Sequence, residues 1–298
     1  PLGRGSGGEG KVALKVFKPR FRTPALVALG ARLNAYARLP GLRVCERMVL
    51  TPDQHGKLLK QHPDLTYAVL MPWIEGVTWF DVLQEKRALT PAQSLVIAAS
   101  LCRILTTMEE HGLAHCDLSA SNILLPVTAD PAAECPLELV DVEQMYGLGL
   151  PRPQDISSGT AGYAPLGQNL ELWSPQGDRF AGAILLGEML GWCDESVRQA
   201  AWGESYFEPG EMQQESRRYQ ILLQALERHW GKGVADLFER AWKSEVLADC
   251  PTFGEWKLAL PESLPVADAF KASVVDLSLI HISEPTRLLS ISYAVFCL

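Results

Sequence analysis

The residues best suited to chemistry lie in the stretch His115–Asn122, which follows a long predicted helix and precedes the apolar run Ile123–Leu125. Its spacing, H-x-D-x-x-x-x-N, is typical of phosphotransferase catalytic loops. In such a loop the aspartate, here Asp117, accepts the proton of a substrate hydroxyl, and the asparagine, here Asn122, holds a magnesium ion. A capping aspartate followed by a turn asparagine has the same spacing without a catalytic role. Further motifs are needed to choose between the two interpretations.

Two more carboxylates and a glycine-rich segment follow in the chain. Asp141 comes nineteen residues after Asn122, at the end of the hydrophobic run Leu137–Val140, where a carboxylate can ligate a metal. Gly159–Pro165 reads GTAGYAP, and Asp178 begins an apolar segment that predicts a buried helix.

The start of the chain carries a candidate phosphate site. Gly5–Val12 reads GSGGEGKV and satisfies G-x-G-x-x-G-x-V, while Val12–Lys15 reads VALK and ends in a lysine that can grip phosphates. Tyr67–Trp73 (YAVLMPW) is another strand-like run. Taken together and in their order along the chain, these partial motifs are far more specific than any one of them.

Together these motifs resemble those of the protein-kinase superfamily, and the chain looks like a bacterial Ser/Thr kinase of eukaryotic type. The later motifs match the end of an activation segment and the buried helix beneath the catalytic loop. The resemblance spans about Leu2 to Leu260. It implies an α+β fold of two lobes, namely a small β-rich N-lobe (1–74) with a shortened start and a larger α-helical C-lobe (75–262), followed by a linker (263–276).

The resemblance also implies ATP and Mg2+ as cofactors and a protein carrying Ser or Thr hydroxyls as the substrate, with Thr160 favouring these over Tyr. The catalytic residues would be Asp117, Asn122 and Lys15, and the metal ligands Asn122 and Asp141. A nucleotide cleft is expected at about residues 71–76. The residues expected to bind the nucleotide are Gly5, Gly7, Gly10, Lys15, Met71 and Trp73.

The N-lobe departs from the family pattern. Val12 must serve both the glycine loop and the lysine strand, so the start is either a shortened phosphate lid or an ordinary glycine-rich turn. Lys15 has a second interpretation as an exposed strand lysine, although its apolar neighbours favour an inward role. The predicted helix Arg22–Arg38 holds no acid to pair with it, and Asn34 stands nearest the place of the family's glutamate.

The catalytic loop lacks two cations. Cys116 replaces the arginine that in many kinases contacts a phosphate on the activation loop, and Ser119 replaces the lysine that neutralises the transferring phosphoryl group. Because cationic clamps contribute several kcal/mol in the transition state, transfer is expected to be slow unless Arg152 or Arg179 reaches in. His115 is expected to pack in the core rather than to transfer protons.

Two other functions stay open. A pseudokinase would use the same fold as a scaffold that presents its helical lobe to a partner. Asp141–Glu143 (DVE) is also similar to small-molecule kinases of the choline and aminoglycoside type, which share the catalytic-loop spacing. Those enzymes generally lack a segment like Gly159–Pro165 and a helix like that of Asp178.

Hydrophobic periodicity indicates the elements that must position these groups. The clearest helix has Thr90 as N-cap and Pro91 at its first position, and it stops at Gly112. Further helices are predicted at 22–38, 177–190, 217–230, 234–242 and 252–260, and strands at 12–17, 46–50, 67–71, 122–125 and 137–140.

Length and composition narrow the function classes. The 298 residues suffice for two domains or lobes. A net charge of −8 and a pI of about 5.3 give no basic surface for nucleic acid or an anionic membrane. The sequence shows no apolar run long enough to predict a membrane span. Seven cysteines without a C-x-x-C pair favour reduced thiols and a cytoplasmic location.

Residues 277–298 resemble translated sequencing adapter rather than natural protein. Leu277–Arg287 (LSLIHISEPTR) back-translates to a transposase-end sequence used in library preparation, and Ile291–Leu298 (ISYAVFCL) to the flow-cell end of the same adapter. We therefore expect this tail to lie outside the fold. We also expect the natural protein to have continued beyond both ends of the chain, with further domains lost.

Overall fold

The computed structural model describes residues 11–126, 137–153, 155–166, 171–262 and 292–297. Over these residues the chain is mixed α+β, with two small antiparallel sheets among more numerous helices, which confirms the expected class. The chain divides into two compact units. The first comprises the residues up to Glu75, Gly149–Pro151 and the C-terminal strand, and the second runs from Gly76 to Leu148 and onward from Arg152.

The first unit is a sheet of four strands, β1 (Lys11–Val16), β2 (Met48–Val49), β3 (Val69–Pro72) and β7 (Ser292–Cys297), which lie in the order β2-β3-β1-β7. Apolar residues pack on both sides of this part of the chain: Leu14 of β1 packs in one cluster with Leu50 and Leu59, while Phe17, the residue after β1, packs in another with Val69. This burial accounts for the continuous apolar run in the sequence. Its described residues also include the helices α1 (Ala25–Leu33) and α2 (Pro52–Gln61).

Strand β7 lies inside the tail that resembles adapter. It pairs antiparallel with β1, from Lys11 opposite Cys297 to Val16 opposite Ser292. The outer edge of β1 presents main-chain N–H and C=O groups, which pair with an extended segment whatever its origin. The expectation that the tail lies outside the fold is therefore wrong for these six residues, whereas the adapter origin stays a prediction. The predicted linker 263–276 and residues 277–291 lie outside the described residues.

The second unit is built on the long helix α4 (Pro91–Glu110). Thr90 and Gln93 form a capping box at its start, Pro91 occupies the first turn, and Gly112 follows its end with a φ of 65°. α4 packs against α5 and α9, and α5 packs in turn against α7 and α8. The helices are α3 (Trp79–Gln84), α4 (Pro91–Glu110), α5 (Arg179–Gly191), α6 (Glu195–Ala200), α7 (Arg217–Trp230), α8 (Lys232–Trp242) and α9 (Phe253–Ala259); the strands are β4 (Gly76–Thr78), β5 (Ile123–Pro126) and β6 (Glu138–Leu139).

Helix α4 is long and apolar enough to pass a length and hydropathy test for a membrane span. However, 72% of its most apolar 18-residue stretch is buried within the protein. Core helices of folded domains meet the same test, so this helix gives little support to a membrane location.

The pairing of β7 with β1 predicts a local effect of deleting residues 277–298. We expect the amides of Lys11–Val16 that face β7 to exchange with solvent roughly ten-fold faster or more in the shortened chain, because their partner strand is gone, whereas those that face β3 keep their partner. Hydrogen exchange followed by mass spectrometry measures this, with the amides of α4 as the internal control. Equal exchange of β1 in both proteins would contradict the pairing.

Candidate active site

The backbone of the catalytic loop is held by one buried carboxylate. Asp178 precedes α5, and its two oxygens accept hydrogen bonds from the backbone N–H groups of His115 (2.6 Å) and Cys116 (2.8 Å). The Asp178 side chain is buried. Burial raises the pKa of this carboxyl, and the two N–H donors oppose that rise. The carboxylate thus fixes two consecutive peptide groups immediately before Asp117.

These contacts hold the loop in an uncommon backbone conformation. Cys116 has a φ of 62°, in the left-handed region that costs a non-glycine residue about 1 kcal/mol or more. Burial raises the pKa of the Cys116 thiol, and the negative charge of Asp178 raises it further. The sulfur therefore stays protonated and unreactive. His115 is fully buried, and its Nε2 donates to the Val140 carbonyl at 2.8 Å, which confirms its expected packing role.

Asp117 lies half-buried at the centre of the loop. The amide nitrogen of Asn122 donates to the Asp117 carbonyl oxygen at 2.8 Å and closes the loop. One carboxylate oxygen of Asp117, Oδ1, accepts hydrogen bonds from the hydroxyls of Ser157 and Thr160, both at 3.2 Å. The structure therefore presents this carboxylate to alcohol groups.

The two predicted metal ligands lie at the same end of a strand pair. Asn122 immediately precedes β5 and Asp141 lies two residues after the end of β6, and the two strands are antiparallel neighbours. The Val140 N–H donates to the Asn122 carbonyl at 2.9 Å, which places the two positions side by side in the backbone. Asp141 is held in a left-handed conformation, with a φ of 64°. Carboxylate and amide oxygens are suitable ligands for Mg2+, which takes one or two protein groups together with substrate phosphates.

That arrangement differs from a metal centre built by protein alone. Within the described part of the chain, no group of three or more His, Cys, Asp or Glu side chains is placed to hold a metal ion. The donor set fits magnesium delivered with a nucleotide and does not fit a structural zinc site.

The segment that contacts Asp117 is anchored by a second buried carboxylate on α5. Glu188 accepts hydrogen bonds from the Tyr163 hydroxyl (3.1 Å), the Trp79 indole N–H (3.1 Å) and the Tyr206 backbone N–H (2.8 Å). A Cβ atom at Gly162, where φ is 85°, would lie 2.9 Å from the Ser205 Cβ and even closer to its hydroxyl oxygen. The segment therefore has little room to move at this point.

The missing cations are not replaced by the two expected arginines. Arg179 forms a salt bridge with Glu109 at 2.7 Å, and Arg152 forms one with Glu171 at 2.9 Å. Ser119 is buried, and its hydroxyl lies 2.9 Å from that of Ser121. A lysine at position 119 would bring its stem into a buried site, so simple restoration of the cation carries a cost in stability.

The candidate nucleotide residues of the first unit can be placed only in part. Lys15 is 1% exposed in β1, opposite Val69 of β3, and its ammonium lies 5.6 Å from the centre of the Phe17 ring. The inward interpretation of this lysine is therefore confirmed. The Asn34 side chain exchanges two hydrogen bonds with the Arg47 backbone, at 2.7 and 3.0 Å.

Of the other residues predicted to contact the nucleotide, two lie within the described part of the chain. Met71 is buried in β3, and Trp73 is half-buried just after that strand. Gly5, Gly7 and Gly10 lie outside the described residues. Their part in binding a nucleotide stays a prediction.

Sequence reasoning missed three residues that shape the site. Gln144 bonds to the backbone of Asp155 and Ser157. Gln213 links the Leu166 N–H (3.0 Å) to the Ser244 carbonyl (2.7 Å). Glu188 is the one with a sequence signal, since it is a lone acid in the apolar run of α5. Gln144 and Gln213 stand among other polar residues and carried no such signal.

No protein-family model matches the chain, and no curated protein matches it.

The buried Glu188 predicts a pH-dependent stability. Burial raises the pKa of this carboxyl from 4.5 to about 7, against the effect of its three donors. Because its pKa is raised in the folded state, its contribution to stability is present below pH 4.5 and is lost as the pH rises towards 7, a change of roughly 3 kcal/mol. Glu188→Gln mimics the protonated form and does not titrate. Its free energy of unfolding, compared with that of wild type, should therefore increase as the pH rises over that range. Urea unfolding at about pH 5 and pH 8 measures this, and a pH-independent difference would contradict it.

Proposed function

We propose that the chain is a kinase-like phosphotransferase with a two-lobed fold that moves the γ-phosphoryl group of ATP to a Ser or Thr hydroxyl of a protein. The observation that carries the proposal is the pair of hydrogen bonds from the Ser157 and Thr160 hydroxyls to Asp117. A general base must lie within hydrogen-bond reach of the proton that it removes. A half-exposed carboxylate that already bonds two alcohols meets that requirement.

Each residue of the loop has a role in this proposal. Asp117 orients the incoming hydroxyl and accepts its proton. Asn122 holds the Asp117 peptide through its amide nitrogen, and its amide oxygen is proposed as a magnesium ligand together with the Asp141 carboxylate. When bound, magnesium neutralises part of the charge on the ATP phosphates. Lys15, in the first unit, is proposed to contact those phosphates as well.

A second candidate function is a pseudokinase. The replacement of two cationic residues of the catalytic loop by Cys116 and Ser119 favours it. Arg152 forms a salt bridge with Glu171, and Arg179 forms one with Glu109. Ser119 is buried and carries a hydroxyl in place of an amine. Loss of such a clamp lowers transition-state stabilisation. We therefore expect a slow enzyme, and the experiments below separate it from a scaffold that binds ATP without transfer. A protein partner and a cytoplasmic location belong to both proposals.

Replacing Asp117 tests the catalytic assignment. Asp117→Asn should lower phosphoryl transfer from labelled ATP to a Ser/Thr peptide library by roughly 10²- to 10⁴-fold, because the amide cannot accept the hydroxyl proton. ATP affinity should stay near wild type, since this carboxylate meets the acceptor rather than the nucleotide. Asp249→Asn, at an exposed position, is the matched control. If wild type binds ATP but transfers phosphate no faster than Asp117→Asn, the pseudokinase would be favoured.

Replacing Asp141 tests the metal assignment. Asparagine is the suitable substitute because it tolerates the left-handed backbone found there, whereas alanine does not. ATP should raise the melting temperature of wild type by several degrees more with magnesium than without it, and Asp141→Asn should lose most of that difference, because its neutral amide lacks the negative charge that attracts the cation. Asp236→Asn, on the surface of α8, is the control. Identical magnesium effects in wild type and Asp141→Asn would remove Asp141 from the metal site.

A further inference from the structure

The two compact units carry net charges of opposite sign. Residues 1–75, which make up most of the first unit, hold twelve Lys and Arg against five Asp and Glu, a net charge of +7. The rest of the chain holds fifteen Lys and Arg against thirty Asp and Glu, a net charge of −15. Residues 11–45 alone contain eight basic residues and no acidic one. The whole-chain charge of −8 therefore does not represent the first unit, and such asymmetry indicates binding to a polyanion or an anionic surface.

Four exposed cations flank helix α1 of this unit. Lys18 and Arg20 lie in the short turn before the helix. Arg32 lies in its last turn, and Arg38 follows its end by five residues. Arg32 also donates to the Gly149 carbonyl at 2.5 Å, which uses one of the five N–H donors of its guanidinium. Positive charge therefore stands at both ends of the helix.

The outer surface of α1 between these cations is apolar. Its exposed residues are Ala25, Val27, Ala28, Ala31 and Arg32, and the Val27 side chain is 38% exposed. The inward positions of the helix are apolar as well. A helix that is apolar on all sides normally has another surface packed against each of them. The outer surface of α1 is thus suited to an apolar partner.

Helix α2 covers the opposite face of the sheet and provides an internal comparison. Leu59 of α2 packs in the cluster of Leu14, whereas Leu26 of α1 packs in the cluster of Phe17. Residues 14 and 17 point to opposite faces because side chains alternate along a strand. The outer surface of α2 is polar, with exposed residues that include Asp53, Gln54, Lys57, Lys60 and Gln61. Of these two helices, α1 is the one that combines an apolar surface with flanking cations.

Nucleic acids and anionic lipids both offer phosphates to cations, and the apolar surface of α1 distinguishes between them. Proteins that bind single strands stack exposed aromatic rings on the bases. On this side of the sheet Phe17 is buried, and the half-buried ring of Phe21 has its centre 4.5 Å from the guanidinium carbon of Arg20. Apolar side chains on a helix instead suit the boundary between lipid headgroups and acyl chains. The observations therefore favour lipid.

We propose that the α1 face, made of Lys18, Arg20, Arg38 and the exposed residues of α1, docks on an anionic phospholipid bilayer. The apolar side chains lie at the headgroup boundary, and the flanking cations contact lipid phosphates and carboxylates. This binding is peripheral and requires no membrane span. It fits the expected cytoplasmic location, because the cytoplasmic leaflet carries anionic lipids. The proposal goes beyond phosphoryl transfer and does not depend on it.

Co-sedimentation of the full chain with lipid vesicles tests the proposal. The chain should bind vesicles of phosphatidylcholine mixed with phosphatidylserine and should not bind pure phosphatidylcholine, and binding should weaken as salt is added. Lys18→Glu with Arg38→Glu should lower the partition coefficient roughly ten-fold or more. Val27→Gln, which changes no charge, should lower it roughly three-fold because it removes apolar contact.

The matched control is Lys57→Glu with Lys60→Glu, which makes the same change in net charge on the opposite face of the sheet. This variant should bind the mixed vesicles within about two-fold of wild type, since its cations lie away from the bilayer. Far-ultraviolet circular dichroism checks that each variant is folded like wild type. Equal losses in the two charge-reversed variants, or wild-type binding by Val27→Gln, would overturn the α1 face as the docking surface. Binding to a labelled oligonucleotide with none to the mixed vesicles would overturn the choice of lipid.

Discussion

The candidate site depends on the buried carboxylate of Asp178, which accepts the N–H groups of His115 and Cys116. Two consecutive donors to one carboxylate leave the peptide between them little freedom, and Cys116 is held in the left-handed region as a result. Removing the carboxylate would leave two buried N–H groups without an acceptor, at a cost of about 1–3 kcal/mol each. The position of Asp117 follows from this constraint, because Asp117 is the next residue in the chain.

Helix α5 serves both sides of the hydroxyl–carboxylate contact. Asp178, before its first turn, fixes the loop that carries Asp117, and Glu188, near its other end, holds Tyr163 of the facing segment. Both acids lie within the packed interior of the second unit, where an unpaired polar group would be expensive. Their hydrogen bonds thus bring Asp117 and Thr160 to a fixed separation.

The sequence predicted the elements that carry strong local signals. Helix α4 has a cap, a proline and a buried face, and β1 has a run of apolar residues, so both were found. Helix α2 was missed because its residues are mostly polar, and its His55 has non-helical angles. The loop residues were predicted from spacing alone. The contact of Ser157 with Asp117 and the bonds of Gln213 were not, because they join residues distant in the chain whose types are common. The pairing of β7 with β1 was not predicted, because main-chain hydrogen bonds do not depend on particular side-chain types in the sequence.

The most direct measurement of the central claim is the rate of phosphoryl transfer from ATP to a Ser/Thr peptide by Asp178→Asn. Asparagine keeps the shape of the side chain but has one acceptor oxygen, so it cannot hold both the His115 and the Cys116 N–H groups as the carboxylate does. The account predicts a rate close to that of Asp117→Asn, with a far-ultraviolet circular dichroism spectrum like that of wild type. Transfer by Asp178→Asn at the wild-type rate would contradict it.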